Sequence, residues 1–115
     1  MQYMLLIYGE ESAWAKLTPD QLSAEMGAYM AYSEALAKAG ALVAGDELQP
    51  VATAKTVSVS NGKQTVVDGP FAETKETLGG YYLITVDSLD DALAWAAKCP
   101  GARYGRIEVR PVVMR

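Results

Sequence analysis

The chain contains no histidine and a single cysteine, Cys99. The first absence excludes histidine-dependent catalytic triads, imidazole proton shuttles and histidine-rich zinc sites. The second excludes an intrachain disulfide, and Cys99 has neither a histidine nor a second cysteine to activate it. No apolar run approaches the roughly 20 residues of a membrane-spanning helix, so no membrane partner is expected. The opening Met1–Tyr8 lacks the basic stretch and long apolar segment of a secretory signal, which makes a cytoplasmic location the expectation. Positive charge is scarce as well. Ten Lys and Arg against 14 Asp and Glu leave a net charge of −4, and such a field does not draw in nucleic acid. Only Arg103 to Arg115 gathers cations, either as a local basic stripe or as a solvated strand edge. There is no Asp-x-Asp-x-Asp loop, and Gly79-Gly80 precedes a strand rather than a helix, so it is no phosphate loop. No metal and no cofactor is assigned.

What is present describes an ordinary globular chain. Half of the 115 residues are hydrophobic and 21% are charged, which fits one domain over residues 1–115. Gln2–Tyr8 reads as a buried strand closed by Gly9. Thr18-Pro19-Asp20-Gln21 is a helix start: Thr18 caps, Pro19 suits the first turn, and Gln21 closes a capping box. Leu22, Met26, Tyr29, Met30, Ser33, Leu36 and Ala37 then fall on one helical face, expected to point inward, and Gly40 stops the helix. Ala41–Gly45 is a short strand. Lys55–Asp68 is a hairpin about Asn61-Gly62, with Ser60 facing Lys63, Val57 facing Val66 and Lys55 facing Asp68. Gly69–Thr77 is a loop and Gly79–Val86 a strand. Ser88 caps a second helix whose expected inner face is Leu89, Ala92, Leu93 and Ala96, with Pro100-Gly101 ending it. Arg106–Val113 is the last strand. Without the hairpin the order is β-α-β-β-α-β, so the fold class is α+β, a ferredoxin-like split βαβ with an inserted β-hairpin. Two helices cover only one face of such a sheet, and pairing of two chains through the other face is expected.

Asp68-Gly69-Pro70-Phe71-Ala72-Glu73-Thr74-Lys75-Glu76 is the most unusual stretch. Gly69-Pro70 sets a sharp change of direction, and Phe71 is the only phenylalanine. With Phe71 tucked inward as an anchor, the loop would hold Asp68, Glu73 and Lys75 together at the border of a cavity, with carboxylates for proton transfer and an ammonium for an anionic group. The other reading is a capped loop whose charges are solvated or mutually paired. Asp46, at the end of a strand, is a second catalytic candidate, or simply turns the chain toward Pro50. Arg110 lies within the last strand, paired to Glu108 or an acid across the sheet, or bound to a substrate carboxylate. Tyr8, Tyr29, Tyr32, Tyr81 and Tyr82 read as core and interface residues. Asp46, Asp68, Glu73 and Lys75 are thus the catalytic candidates, and Phe71, Lys75, Glu76, Arg110 and Tyr29 the ligand-binding ones.

The nine residues from Asp68 to Glu76 resemble the hallmark of the DGPF group of YCII-related (YciI-like) proteins. The likeness continues in Met4-Leu5-Leu6-Ile7-Tyr8-Gly9, Ala39-Gly40-Ala41-Leu42, Gly45-Asp46-Glu47-Leu48-Gln49-Pro50, Leu78-Gly79-Gly80-Tyr81-Tyr82 and Glu108-Val109-Arg110-Pro111. It implies a dimeric α+β barrel, two ferredoxin-like subunits packed through their sheets. Small relatives can carry a helical histidine and a nearby aspartate as a proposed catalytic pair. Here the matching stretch around Ala28 and Tyr29 has no histidine. Relatives with this loop are often encoded beside sigma factors of the extracytoplasmic-function type, which implies an accessory regulatory role. Two readings follow. One is a small-molecule-binding or enzymatic homodimer with its pocket under the Asp68–Glu76 loop, favoured by a deep pocket holding Asp46, Lys75 and Arg110. The other is a module docking on a sigma factor, favoured by an exposed apolar patch beyond the dimer interface.

Overall fold

A computed structural model describes residues 1–115. The elements run β1 (Gln2–Gly9), a short α1 (Glu11–Ala15), α2 (Pro19–Lys38), β2 (Leu42–Glu47), a 3-10 turn at Val51–Thr53, β3 (Lys55–Ser60), β4 (Lys63–Asp68), β5 (Thr77–Thr85), α3 (Leu89–Lys98), a 3-10 turn at Pro100–Arg103 and β6 (Arg106–Pro111). Four strands form an antiparallel sheet in the order β2-β5-β1-β6, and β3 pairs only with β4. This is the split βαβ order with a hairpin inserted between β2 and β5.

Local chemistry sets the helix ends. The Thr18 side chain accepts from the Gln21 amide at 3.2 Å while the Gln21 side chain accepts from the Thr18 amide at 2.9 Å, so the capping box is complete. At the other end Gly40 takes φ 71°, its amide donates to Ala37, and the Ala41 amide donates to Leu36. That is a Schellman stop, which a left-handed glycine makes at little cost. In the hairpin Asn61 and Gly62 have φ of 50° and 78°, as a type I′ turn requires, and the ladder pairs Lys55 with Asp68, Val57 with Val66 and Ser60 with Lys63. The expected register is present throughout.

Both helices lie on one face of the sheet. Tyr3, Leu5, Tyr82 and Ile84 from the strands pack with Tyr32 and Leu36 of α2 and Ala92 and Ala96 of α3. The rings of Tyr32 and Tyr82 meet edge-on at 5.3 Å, and the Tyr32 hydroxyl donates to the Trp95 carbonyl at 2.7 Å. The inner face of α2 is therefore Glu25, Tyr29, Tyr32 and Leu36, with Ser33 half-buried. Leu22, Met26 and Met30, expected inside, form an exposed stripe instead, Met30 being 72% exposed. Large tyrosines fill the space and also find partners for their hydroxyls, which methionines cannot do. Likewise α3 buries Ala92 and Ala96 but leaves Leu89 and Leu93 largely outside. Alternation along the strands puts Met4, Leu6, Tyr81 and Leu83 on the opposite face. No helix is long and apolar enough to cross a membrane.

Candidate functional site

The loop from Asp68 to Glu76 is tied down at both ends by polar contacts. Lys55 pairs with Asp68, the Gly69 amide donates to the Ala54 carbonyl at 2.7 Å, and the Thr56 hydroxyl donates to the Gly69 carbonyl at 2.8 Å. Further on, Lys75 meets Glu10 at 3.6 Å and Arg106 meets Glu76 at 3.4 Å. The Val51 amide donates to the Glu11 carboxylate at 2.7 Å, holding the neighbouring 3-10 turn. Between that turn and the loop lies an open concavity of about 360 Å³ lined by Val51, Ala52, Pro70, Glu73, Thr74 and Thr77. Phe71 does not anchor the loop from within; its side chain is 90% exposed. The polar ties already fix the backbone, and the core is filled by residues of the sheet and helices. Nor does the loop gather Asp68, Glu73 and Lys75 into one cluster. Asp68 and Lys75 are engaged with Lys55 and Glu10, and of the three only Glu73 lines the concavity.

Asp46 and Arg110 lie elsewhere, on the sheet face turned away from the helices. Asp46 stands at the end of β2 as expected, one residue before its last, and its carboxylate accepts from the Tyr81 hydroxyl at 2.7 Å. That hydrogen bond to a carboxylate favours the neutral phenol and raises the Tyr81 pKa. Arg110, expected to be ion-paired, makes no salt bridge within the chain, nor does Glu108.

On the helix side, the Tyr29 ring sits 6.5 Å from Trp14, and its hydroxyl lies close over Gly101. A Cβ on Gly101 would lie 2.6 Å from that hydroxyl oxygen, so only glycine allows the approach. Burial pushes the Tyr29 phenol far above its ordinary pKa and also raises the Cys99 thiol. Tyr29 is thus half-buried and packed against the core. One residue here escaped the reading of the sequence. Glu25 is 8% exposed and accepts from the Tyr104 hydroxyl at 2.7 Å and from Arg103 at 3.3 Å, which joins α2 to the turn before β6. The signal was the 4-3-4 spacing of Glu25, Tyr29, Tyr32 and Leu36. No cluster of three or more His, Cys, Asp or Glu is placed to hold a metal ion.

A family model described as the YCII-related domain matches residues 1–114. The chain belongs to the YCII-related family. An uncharacterised protein of Rhizobium meliloti strain 1021 is 39% identical over 119 residues, covering 99% of this chain and 94% of that protein. Among solved structures, 5-chloro-2-hydroxyhydroquinone dehydrochlorinase from Burkholderia phenoliruptrix AC1100, in complex with 2,5-dihydroxybenzoquinone, is similar with a TM-score of 0.51. The overlap covers 98% of this chain and 94% of that one at 14% identity, a likeness of fold alone.

In this YCII-related chain the candidates therefore fall into three places. Asp68, Phe71, Glu73, Lys75 and Glu76 belong to the loop, Asp46 and Arg110 to the open sheet face, and Tyr29 to the packed side of α2. Asp46, Lys75 and Arg110 line neither the concavity beside the loop nor a larger depression of about 590 Å³ at the opposite end of the sheet, which is bordered by Met1, Gly40, Asp87, Asp91, Trp95 and Lys98 among others.

Proposed function

We propose that this chain works as a homodimer that binds a small molecule, or turns one over, in the concavity beneath the 68–76 loop. One observation supports it above the others: the Glu73 carboxylate and the hydroxyl-bearing Thr74 and Thr77 line a concavity together with Val51, Ala52 and Pro70, beside an exposed Phe71. A few polar groups among apolar ones, on a backbone held from both sides, is what recognition of a small ligand needs. The exposed Phe71 ring, between the lining residues Pro70 and Glu73 in the chain, offers an apolar face of the kind that stacks on planar ligands. The dehydrochlorinase of similar fold, solved with a dihydroxybenzoquinone, makes hydroxylated rings the first class to try. In a chain without histidine, Glu73 is the proton-transfer candidate at this place, with Lys75 as the nearby cation. Dimerisation through the open sheet face would cover Met4, Leu6, Tyr81 and Leu83, in a barrel of two sheets, and a cytoplasmic setting suits this reading.

Native mass spectrometry of protein purified from its own host comes first, since a retained small molecule identifies the ligand directly. An NMR titration with 2,5-dihydroxybenzoquinone as the probe follows. The expected result is shifts at Phe71, Glu73, Thr74 and Thr77 that vanish in a Phe71→Ala, Glu73→Ala double variant. No retained molecule, together with no response at these residues to this probe or to a panel of hydroxylated aromatics, would reject the reading.

A second reading, a module docking on an extracytoplasmic-function-type sigma factor, is favoured by a different observation. Leu22, Met26 and Met30 form an exposed stripe at helical spacing on α2, on the helix side of the sheet rather than on its open face. Co-sedimentation of such a sigma factor with the wild type but not with Met26→Glu would favour this reading.

A further inference from the structure

Helix α3 carries an acid, an indole and a base in line. Asp91, Trp95 and Lys98 stand at spacings of four and three residues, which sets them on one helical face. At a rise of about 1.5 Å per residue, Asp91 and Lys98 start roughly 10 Å apart along the axis. Asp87, just before the Ser88 cap, adds a second carboxylate at the acid end. All four residues border the depression of about 590 Å³ at the end of the sheet remote from the loop. Ala39 and Gly40, after α2, and Ala94 of α3 line it as well and are too small to fill it.

No ion pair within the chain neutralises these charges. Asp87, Asp91 and Lys98 are exposed, and none of them forms a salt bridge. The Lys98 ammonium lies instead over the Trp95 ring, 5.2 Å from its centroid. That ring is half-buried and held from the core side. Tyr32 meets it edge-on at 6.0 Å and donates its hydroxyl to the Trp95 carbonyl at 2.7 Å. The indole is thus a fixed apolar platform covered by a long, exposed side chain. An exposed cation–π contact is weak, so the lysine can exchange it for a carboxylate without any shift of the backbone. A solvated helix face accounts for Asp91 in the first turn of α3 and Lys98 in the last. It does not account for a large indole left half-open between them, beside a depression walled by alanine and glycine.

We propose that this depression binds a small zwitterion whose opposite charges are separated by an apolar chain, of the ω-amino acid class. Its ammonium pairs with Asp87 and Asp91, its methylenes lie on the Trp95 indole, and its carboxylate draws the Lys98 ammonium off the ring. Charge-assisted contacts at the two ends select the head groups, and the distance between those ends selects the length. An α-amino acid, with both charges on one carbon, reaches only one end. The site is separate from the loop concavity and stands or falls independently of it.

The test is an NMR titration of the whole chain with ε-aminocaproate, read at the indole N–H of Trp95. The chain has two tryptophans, and a Trp14→Phe variant assigns that resonance. The expected result is a saturable shift at Trp95 and at the amides around Asp91 and Lys98, with none at Glu73, Thr74 and Thr77. Hexylamine lacks the carboxylate, hexanoate lacks the ammonium, and leucine is an isomer of the probe with both charges on one carbon. Each should bind more weakly by roughly tenfold or more. An Asp87→Asn, Asp91→Asn double variant should weaken ε-aminocaproate to the level of hexanoate without weakening hexanoate itself. Lys98→Gln should weaken it to the level of hexylamine without weakening hexylamine. A merely structural role for these residues would weaken every ligand alike, and circular dichroism checks that the variants fold. Variants that act on all ligands equally, leucine binding as well as its isomer, or no saturable shift at millimolar probe would each overturn the proposal.

Discussion

In the four-stranded sheet Leu5 and Ile84 have no exposed surface, whereas in the hairpin Val57, Val59, Val66 and Val67 are each more than half exposed. Regular pairing does not separate the two regions, since β3–β4 runs without a register shift while β1–β5 and β2–β5 each carry one. They differ in what covers them. The sheet has helices across one face, while β3 and β4 pair with each other and with no other strand. The chain's radius of gyration is 16.1 Å, against about 13 Å for a compact chain of this length, and the extents are 47 × 44 × 18 Å. The hairpin is an arm. A two-stranded ribbon alone is marginal in water, so this one depends on its turn, its cross-strand pairs and its anchored base. Local sequence signals suffice to shape it, but its valines lack the cover that stabilises the sheet.

The largest expected effect separates the regions directly. Ile84→Ala removes a fully buried side chain and should cost about 2–5 kcal/mol in denaturant unfolding. Val57→Ala, at an exposed position, should cost less than about 0.5 kcal/mol in the isolated chain. A large loss at Val57 would mean that the arm is covered in solution, and comparing dilute with concentrated protein would show whether another copy covers it.

Next come the buried phenols. Burial raises the pKa of Tyr29, Tyr32 and Tyr82 above the ordinary value of 10.0. A raised folded-state pKa favours the protonated form on folding. The contribution is therefore fully present below about pH 10 and is lost as pH rises through the folded value. Stability should stay level for these groups through neutral pH and fall above about pH 10. Tyrosine absorbance near 295 nm should show these three ionising only as the chain unfolds. The hairpin, which has no tyrosine, should contribute nothing to that loss.

Gly62→Ala acts on the arm alone. Gly62 has φ 78° with open space where a Cβ would go, so the cost is one of backbone conformation, about 1–2 kcal/mol. Amide protection across β3 and β4 should drop while that of β1 and β5 stays unchanged. Equal losses in both regions would show that the arm and the sheet unfold together.

What was legible in the sequence follows the same division. Signals that act over three or four residues worked: the Thr18–Gln21 box, the Ser88 cap and the Asn61-Gly62 turn all stand where the residues placed them. Signals that depend on what lies across the core did not. Hydropathy favoured Met26 and Met30 for the inside of α2, but the space takes tyrosines whose hydroxyls find Trp95 and Ser33–Tyr82 partners. Gly45 looked like the end of a strand. In the structure β2 continues past it to Glu47, and the bare glycine lets the Tyr82 ring lie close, where a Cβ would sit 2.6 Å from the ring carbon Cδ1. The loop was legible as a distinct feature, but the outward aim of Phe71 was not, because nothing in nine residues states that the core is already full.

The smallest expected effect tests how the arm joins the sheet. Lys55 pairs with Asp68 across the first rung of the hairpin, and both side chains are mostly exposed. Exposed pairs gain little because water screens them and two long side chains lose freedom, so Lys55→Ala should cost at most about 1 kcal/mol, and less in high salt. Two backbone-directed ties remain at this place in that variant, from the Gly69 amide to Ala54 and from the Thr56 hydroxyl to Gly69. The loop should therefore keep its position, and the amide shifts of Glu73, Thr74 and Thr77 should hardly move. If Lys55→Ala instead displaced all three, the ion pair would be the hinge that sets the concavity, and the arm would be part of the binding site rather than an appendage to the sheet.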